Sequence, residues 1–231
     1  MSKPELSTRA VNMQLRRERI LHEARRMLVQ GGYDGINLRA LARAAELTVP
    51  TIYNLIGNKE ELVVALFSLA LGEIEIRMQT HAGTEPLEMA EAVVIESVGL
   101  FAEDEDYYRA AFIAVEYLSQ SREYQQPVAR LYQWGERLAT AGCIACTTAG
   151  YLRGRISAAT LGQHILRNYR TNCRAWAFKR LSIEAFRDQA LADVYITLAA
   201  DAVETFHASL LKKISRHTAS APSSRTRKAT R

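Results

Sequence analysis

Apolar residues return every three or four positions almost throughout the chain and nowhere alternate over a useful length, so the pattern predicts helices and no sheet. Between Asn12 and Gln30, Ile20, Ala24, Met27 and Leu28 fall at i, i+4, i+7 and i+8. Arg16, Arg17, Arg19, Arg25 and Arg26 largely take the other side, which makes the segment an amphipathic helix. Gly31-Gly32 stops it, because glycine tolerates the left-handed conformation at a helix end. Asn37 caps a second, short helix with Leu38, Leu41, Ala42 and Ala45 on its buried face. Thr48 caps a third, with Pro50 tolerated in its first turn, and Gly57 ends it. Asn58, followed three residues later by Glu61, opens a fourth helix as a variant capping box. That helix runs to about Thr80 with Leu62, Leu66, Leu69 and Ile76 as its inner stripe.

After a break at residues 83–86, a fifth helix reaches about Ala102 and a sixth runs from about Asp106 to Ser119. A seventh has Pro127 in its first turn and ends near Ala149-Gly150. Ser157 and Ser182 cap two long final helices, the last extending to about Ser215. In that last helix Val194, Leu198, Ala202, Phe206, Leu210 and Ile214 are spaced by four, a continuous apolar ridge. The expected fold is all-α with about nine helices. Residues 9–57 form a three-helix N-terminal domain, 58–215 a larger helical domain, and 216–231 a basic disordered tail with nothing to bury.

The second and third helices, joined by a tight turn, meet the physical demands of a helix-turn-helix. Ala42 and Ala45 are small enough for close crossing, Leu47 plugs the corner, and Ile52 and Ile56 face back toward Leu38 and Leu41. Thr48, Thr51, Tyr53 and Asn54 are left outside, short or hydrogen-bonding side chains suited to the major groove. An ordinary αα-hairpin of this length would show the same pattern.

The stretch Gly32-Tyr33-Asp34-Gly35-Ile36-Asn37-Leu38-Arg39-Ala40-Leu41-Ala42-Arg43-Ala44-Ala45-Glu46-Leu47-Thr48-Val49-Pro50-Thr51-Ile52-Tyr53, followed by Asn58-Lys59-Glu60-Glu61-Leu62, resembles the N-terminal signature of TetR-family transcriptional repressors. The resemblance covers about fifty residues, with glycines, alanines, turn, tyrosine and lysine in register. It implies a homodimer whose N-terminal domains read a palindromic operator in double-stranded DNA and whose bodies bind a small-molecule inducer. It further implies that Asn37 caps helix two against a phosphate and that Arg39, Thr48, Val49, Thr51, Tyr53, Asn54 and Lys59 make up the rest of the DNA-facing set. Three departures stand out. Glu46 replaces the usual turn glycine; Val49 and Pro50 replace Lys and Gly, removing one phosphate-type contact; Leu55-Ile56-Gly57 replaces an aromatic pair and proline.

Charge sharpens this reading. Residues 9–59 hold nine Lys+Arg against four acids, and residues 60–215 hold fifteen against twenty. A basic N-terminal segment on an acidic body is the asymmetry expected where one end meets a polyanion. The tail from Arg216 adds five bases and no acid; Arg225-Thr226-Arg227-Lys228 could attract DNA non-specifically or serve only as a solubilising tail. No apolar run is long enough to span a bilayer, MSKPELSTRA has no apolar core of a secretory signal, and three cysteines make no disulfide framework. The expectation is a cytoplasmic protein without membrane association.

The remaining chemistry is sparse. Cys143-Ile144-Ala145-Cys146 places two sulfurs on one helical face, read as buried packing rather than a thiol switch or metal site. Glu103-Asp104-Glu105-Asp106 reads as a solvated loop. No nucleophile–base spacing, phosphate loop or metal cluster supports an enzyme, so no catalytic residue, metal or cofactor is expected. Tyr117, Trp134 and Tyr169 lie on helices that could surround a partly apolar inducer. The dimer is expected through the last two long helices. The rival reading is an α-helical small-molecule-binding or interaction protein whose N-terminal hairpin is only structural.

Overall fold

A computed structural model of the chain describes residues 8–81 and 83–218. Among these there are ten α-helices, one short 3₁₀ turn (Gln79–His81) and a single isolated bridge, Leu152 to Ala202, in place of any sheet. The helices are α1 Thr8–Gly35, α2 Leu38–Ala44, α3 Val49–Leu55, α4 Lys59–Met78, α5 Pro86–Glu103, α6 Glu105–Leu118, α7 Gln125–Thr148, α8 Ala158–Ala177, α9 Ile183–Ala199 and α10 Glu204–Thr218. They form two compact units. The first is the chain up to Thr80 together with Leu100–Trp134; the second is His81–Gly99 together with the chain from Gly135.

In the first unit, α1 buries Ile20, Leu21, Ala24 and Leu28, with Met27 half-buried. It bends at Gly32 (φ 61°, ψ −158°) and makes one more turn before ending at Gly35, slightly beyond the stop expected at the glycine pair. Arg25 reaches α6, donating to Asp104 at 2.7 Å with its guanidinium 4.0 Å from the centre of the Tyr107 ring. Burial, the largest single effect, works against the Arg25 charge, but the bond to Asp104 and the fields of Tyr107, Asp104 and Tyr108 together outweigh it and its pKa rises. Asp104 also caps α6 by accepting from the Tyr107 amide, and Glu103 accepts from Arg77 at 2.8 Å. The acidic run expected as a solvated loop is therefore a helix cap tied to three arginines, with Glu105 pairing Arg109.

The inner stripe of α4 differs from the expected one. Its buried residues are Leu62, Val63, Leu66, Phe67, Ala70 and Ile74, whereas Leu69 and Ile76 are 55% and 65% exposed. A step of three from Leu66 to Leu69 rotates off the buried face, while steps of four to Ala70 and Ile74 stay on it. Alanine at 70 hides that continuation from a pattern keyed to large residues.

In the second unit, α7 and α8 pack at close range through glycine. A Cβ on Gly162 would stand 2.8 Å from the Thr140 amide nitrogen, and one on Gly142 would stand 2.7 Å from Ala90 Cα on α5. The last helix expected from Ser182 to Ser215 is two helices, broken at residues 200–203. The cause is Asp201, 3% exposed. Its carboxylate accepts from the amides of Gly154 and Arg155 at 2.8 and 3.2 Å, and its carbonyl accepts from Arg153 at 2.8 Å. A buried carboxylate must find such donors, and here they come from the connection between α7 and α8. Val194, Leu198, Ala202, Phe206 and Leu210 are all buried within the subunit, Phe206 against Tyr151 at 4.7 Å between ring centres. Of the apolar ridge, these five residues are core and Ile214 is half-buried.

Candidate nucleic-acid interface

The local chemistry of α2 and α3 explains their short, well-defined geometry. Asn37 accepts from the amides of Arg39 and Ala40 at 3.0 Å each, satisfying two donors at the start of α2. Thr48 accepts from the Thr51 amide at the start of α3, and the two hydroxyls lie 2.8 Å apart. Leu41, Ala42, Ala45 and Ile52 are buried and hold the pair together.

Between them Glu46 adopts φ 54°, the left-handed conformation ordinarily left to glycine. The amide of Leu47 donates to the Ala42 carbonyl at 2.8 Å, closing the corner. Arg19 supports it from α1, donating to the Ala45 carbonyl at 3.3 Å and pairing with the Glu46 carboxylate at 3.5 Å. Arg17 does the same for the far end of α3, donating to the Leu55 carbonyl at 2.7 Å. These arginines brace the end of α2 and the end of α3 through backbone carbonyls, a role that spacing on α1 could not reveal.

Most of the side chains expected to face DNA lie outside the packed pair. Arg39, Thr48, Tyr53 and Asn54 are exposed, Thr51 and Val49 half-buried. Arg43, exposed in the last turn of α2 and absent from the expected set, adds a further positive charge beside them. Pro50, also exposed, donates no amide.

Lys59 sits at the first position of α4, where Asn58 and Glu61 complete the expected capping box. Its ammonium lies 4.1 Å from the centre of the Tyr33 ring, and the Tyr33 hydroxyl donates to Glu60 at 2.7 Å. Burial, followed by that bond to Glu60, pushes the Tyr33 hydroxyl pKa well above its ordinary value. Asn58 also donates to the Tyr124 hydroxyl at 2.7 Å.

The three aromatic residues expected around an inducer have separate neighbours. Tyr117 packs on Tyr33 at 5.0 Å between ring centres, and the Trp134 indole donates to Glu75 at 3.4 Å. Tyr169 belongs to the second unit, where its hydroxyl donates to Ser97 at 2.8 Å and its ring lies 5.4 Å from that of Phe186. Cys143 and Cys146 are fully buried, and burial raises their thiols to about 11 and about 12. Among the described residues no group of three or more His, Cys, Asp and Glu could hold a metal ion, and no helix is long and apolar enough to cross a membrane.

Residues 20–66, which contain both short helices and the start of α4, match the family described as "Bacterial regulatory proteins, tetR family". Over 79 residues the chain is 30% identical to the HTH-type transcriptional repressor KstR of Rhodococcus jostii (strain RHA1), a stretch covering 34% of this chain and 37% of that repressor. The matched part is thus well under half of the relative's length. Two solved structures share the fold. FadR of Bacillus subtilis, a transcriptional regulator in complex with stearoyl-CoA, superposes with a TM-score of 0.66 at 16% identity, covering 78% of this chain and 97% of that one. FadR of Thermus thermophilus, a TetR-family repressor in complex with lauroyl-CoA, gives 0.64 at 18% identity, covering 81% and 96%.

Proposed function

We propose that this chain, whose residues 20–66 match the tetR family and whose fold is all-α, is a ligand-responsive transcriptional repressor of that family. It binds a palindromic operator as a cytoplasmic homodimer and is released by a small molecule. The observation that carries the reading is the capped α2–α3 pair: a buried inner face, a corner closed at Glu46, and Arg39, Tyr53 and Asn54 exposed together with Arg43. Residues 9–57 read DNA, with Thr48, Val49 and Thr51 at the start of α3 and Asn37 and Lys59 opening α2 and α4 beside it. Residues 58–215 carry the inducer and the dimer contacts.

Asn54 is suited to pair with an adenine edge, and Lys59 to a phosphate. With the α9–α10 ridge buried inside the subunit, a dimer built on the last helices uses their outer faces, where Ile196 is 52% exposed. The acyl-CoA ligands of the two FadR proteins favour an inducer with a large apolar part, for which Tyr117 and Trp134 in the first unit and, separately, Tyr169 in the second are candidate contacts. An inducer acts by binding better to a state whose two reading helices no longer match half-sites about 34 Å apart. Titrating the inducer with and without operator tests this. Linkage requires DNA to weaken the inducer by the factor the inducer weakens DNA, and equal inducer affinity in both cases would refute it. The alternative, a helical binding protein that does not read DNA, predicts no salt-dependent DNA affinity.

A further inference from the structure

The base of α4 borders an open cavity of about 520 Å³ lying wholly within the first unit. Its walls include three tyrosines, Tyr33, Tyr117 and Tyr124, and two carboxylates, Glu60 and Glu123, with Asn58 between. Tyr33 and Tyr117 are tilted 39° to one another with ring centres 5.0 Å apart, and Tyr117 is 61% exposed. An aromatic face carries negative potential and attracts cations, most strongly where carboxylates add to the field and water is partly excluded. The Tyr33 ring demonstrates the property, since the Lys59 ammonium rests 4.1 Å from its centre. No lysine or arginine lines the cavity itself.

We propose that this cavity binds an organic ammonium ion, an alkylated nitrogen seated among Tyr33, Tyr117 and Tyr124 with Glu60 and Glu123 supplying the opposing charge. Size favours an organic cation over a bare metal ion, which would need several oxygen ligands converging at about 2–2.6 Å. Glu60 keeps its place because it accepts from the Tyr33 hydroxyl, so the charge is fixed in the wall. Asn58 is at once a wall of the cavity and the cap of α4, and its amide is held by the Tyr124 hydroxyl. Occupancy is therefore felt in the first turn of α4, beside Lys59. That consequence for DNA rests on the repressor reading; binding itself does not.

The test is calorimetric titration of the full chain, free of DNA, with benzyltrimethylammonium chloride and with neutral benzyl alcohol. The expected result is one saturable site per chain for the cation and at least tenfold weaker binding of the alcohol. Tyr117→Ala, Glu60→Gln and Glu123→Gln should each weaken the cation at least threefold, and the double carboxylate variant at least tenfold, with unchanged circular dichroism. Glutamine at 60 still accepts from the Tyr33 hydroxyl, so a loss there reports charge rather than misfolding. Absence of saturable binding, equal affinity for the alcohol, or carboxylate variants that bind like the parent overturns the proposal. A second titration with DNA present separates this outcome from the repressor reading, because cation binding without DNA affinity would refute only the latter.

Discussion

The corner of the helix-turn-helix offers a test in which two substitutions at one position separate strain from charge. Glu46 holds φ 54°, and a residue with a Cβ pays about 1–2 kcal/mol there relative to glycine. Its carboxylate pairs with Arg19 at 3.5 Å, but the two side chains are 84% and 50% exposed, so water screens the pair and it contributes little. Glu46→Ala removes the pair and keeps the strain; Glu46→Gly removes both. Glycine gives back about 0.5–1 kcal/mol through the greater freedom of its unfolded chain. The glycine variant should therefore exceed the alanine variant by about 1 kcal/mol, or about 2–4 °C in Tm for a chain of this size. Urea melts of the three proteins, with thermal scans as a check, measure the difference. An alanine variant as stable as the glycine variant would show that the corner is not strained.

Other consequences follow from the same geometry. Asn54→Ala should cost about 1–3 kcal/mol on operator DNA and relax preference at one base pair per half-site, read by anisotropy on a panel of single-base variants. Lys59→Ala should weaken specific and random DNA alike and flatten the salt slope by about one unit, read by the same assay across a salt series. Phe206→Asp places a charge in the core beside Tyr151 and should unfold the chain, whereas Ile196→Asp should leave it folded and shift sedimentation toward monomer. With thiols raised by burial to about 11 and about 12, Cys143 and Cys146 hold almost no thiolate at pH 8, so iodoacetamide should label them far more slowly in the native protein than in urea.

The helix-turn-helix was legible because its determinants are local. Asn37, Thr48 and Asn58 each cap a helix within three residues of themselves, and the small Ala42 and Ala45 mark a close crossing directly. What escaped depends on partners far along the chain. Nothing in Ala199-Ala200-Asp201-Ala202 breaks a helical pattern; the break is made by amides of Gly154 and Arg155, more than forty residues away. Arg17 and Arg19 look like any polar face until the carbonyls of Leu55 and Ala45 come within reach. The cavity of Tyr33, Tyr117 and Tyr124 draws on α1, α6 and the turn before α7, and no spacing in the sequence joins them.

Selection from a randomised duplex library, followed by anisotropy on the enriched sequence, asks whether the protein reads DNA. A dimeric repressor should enrich an inverted repeat with half-sites about 34 Å apart or a multiple of it, bound at least a thousandfold tighter than random DNA, with affinity falling steeply as salt rises. An unenriched library, or binding that ignores both sequence and salt, would contradict it and leave α2 and α3 as an ordinary helical hairpin.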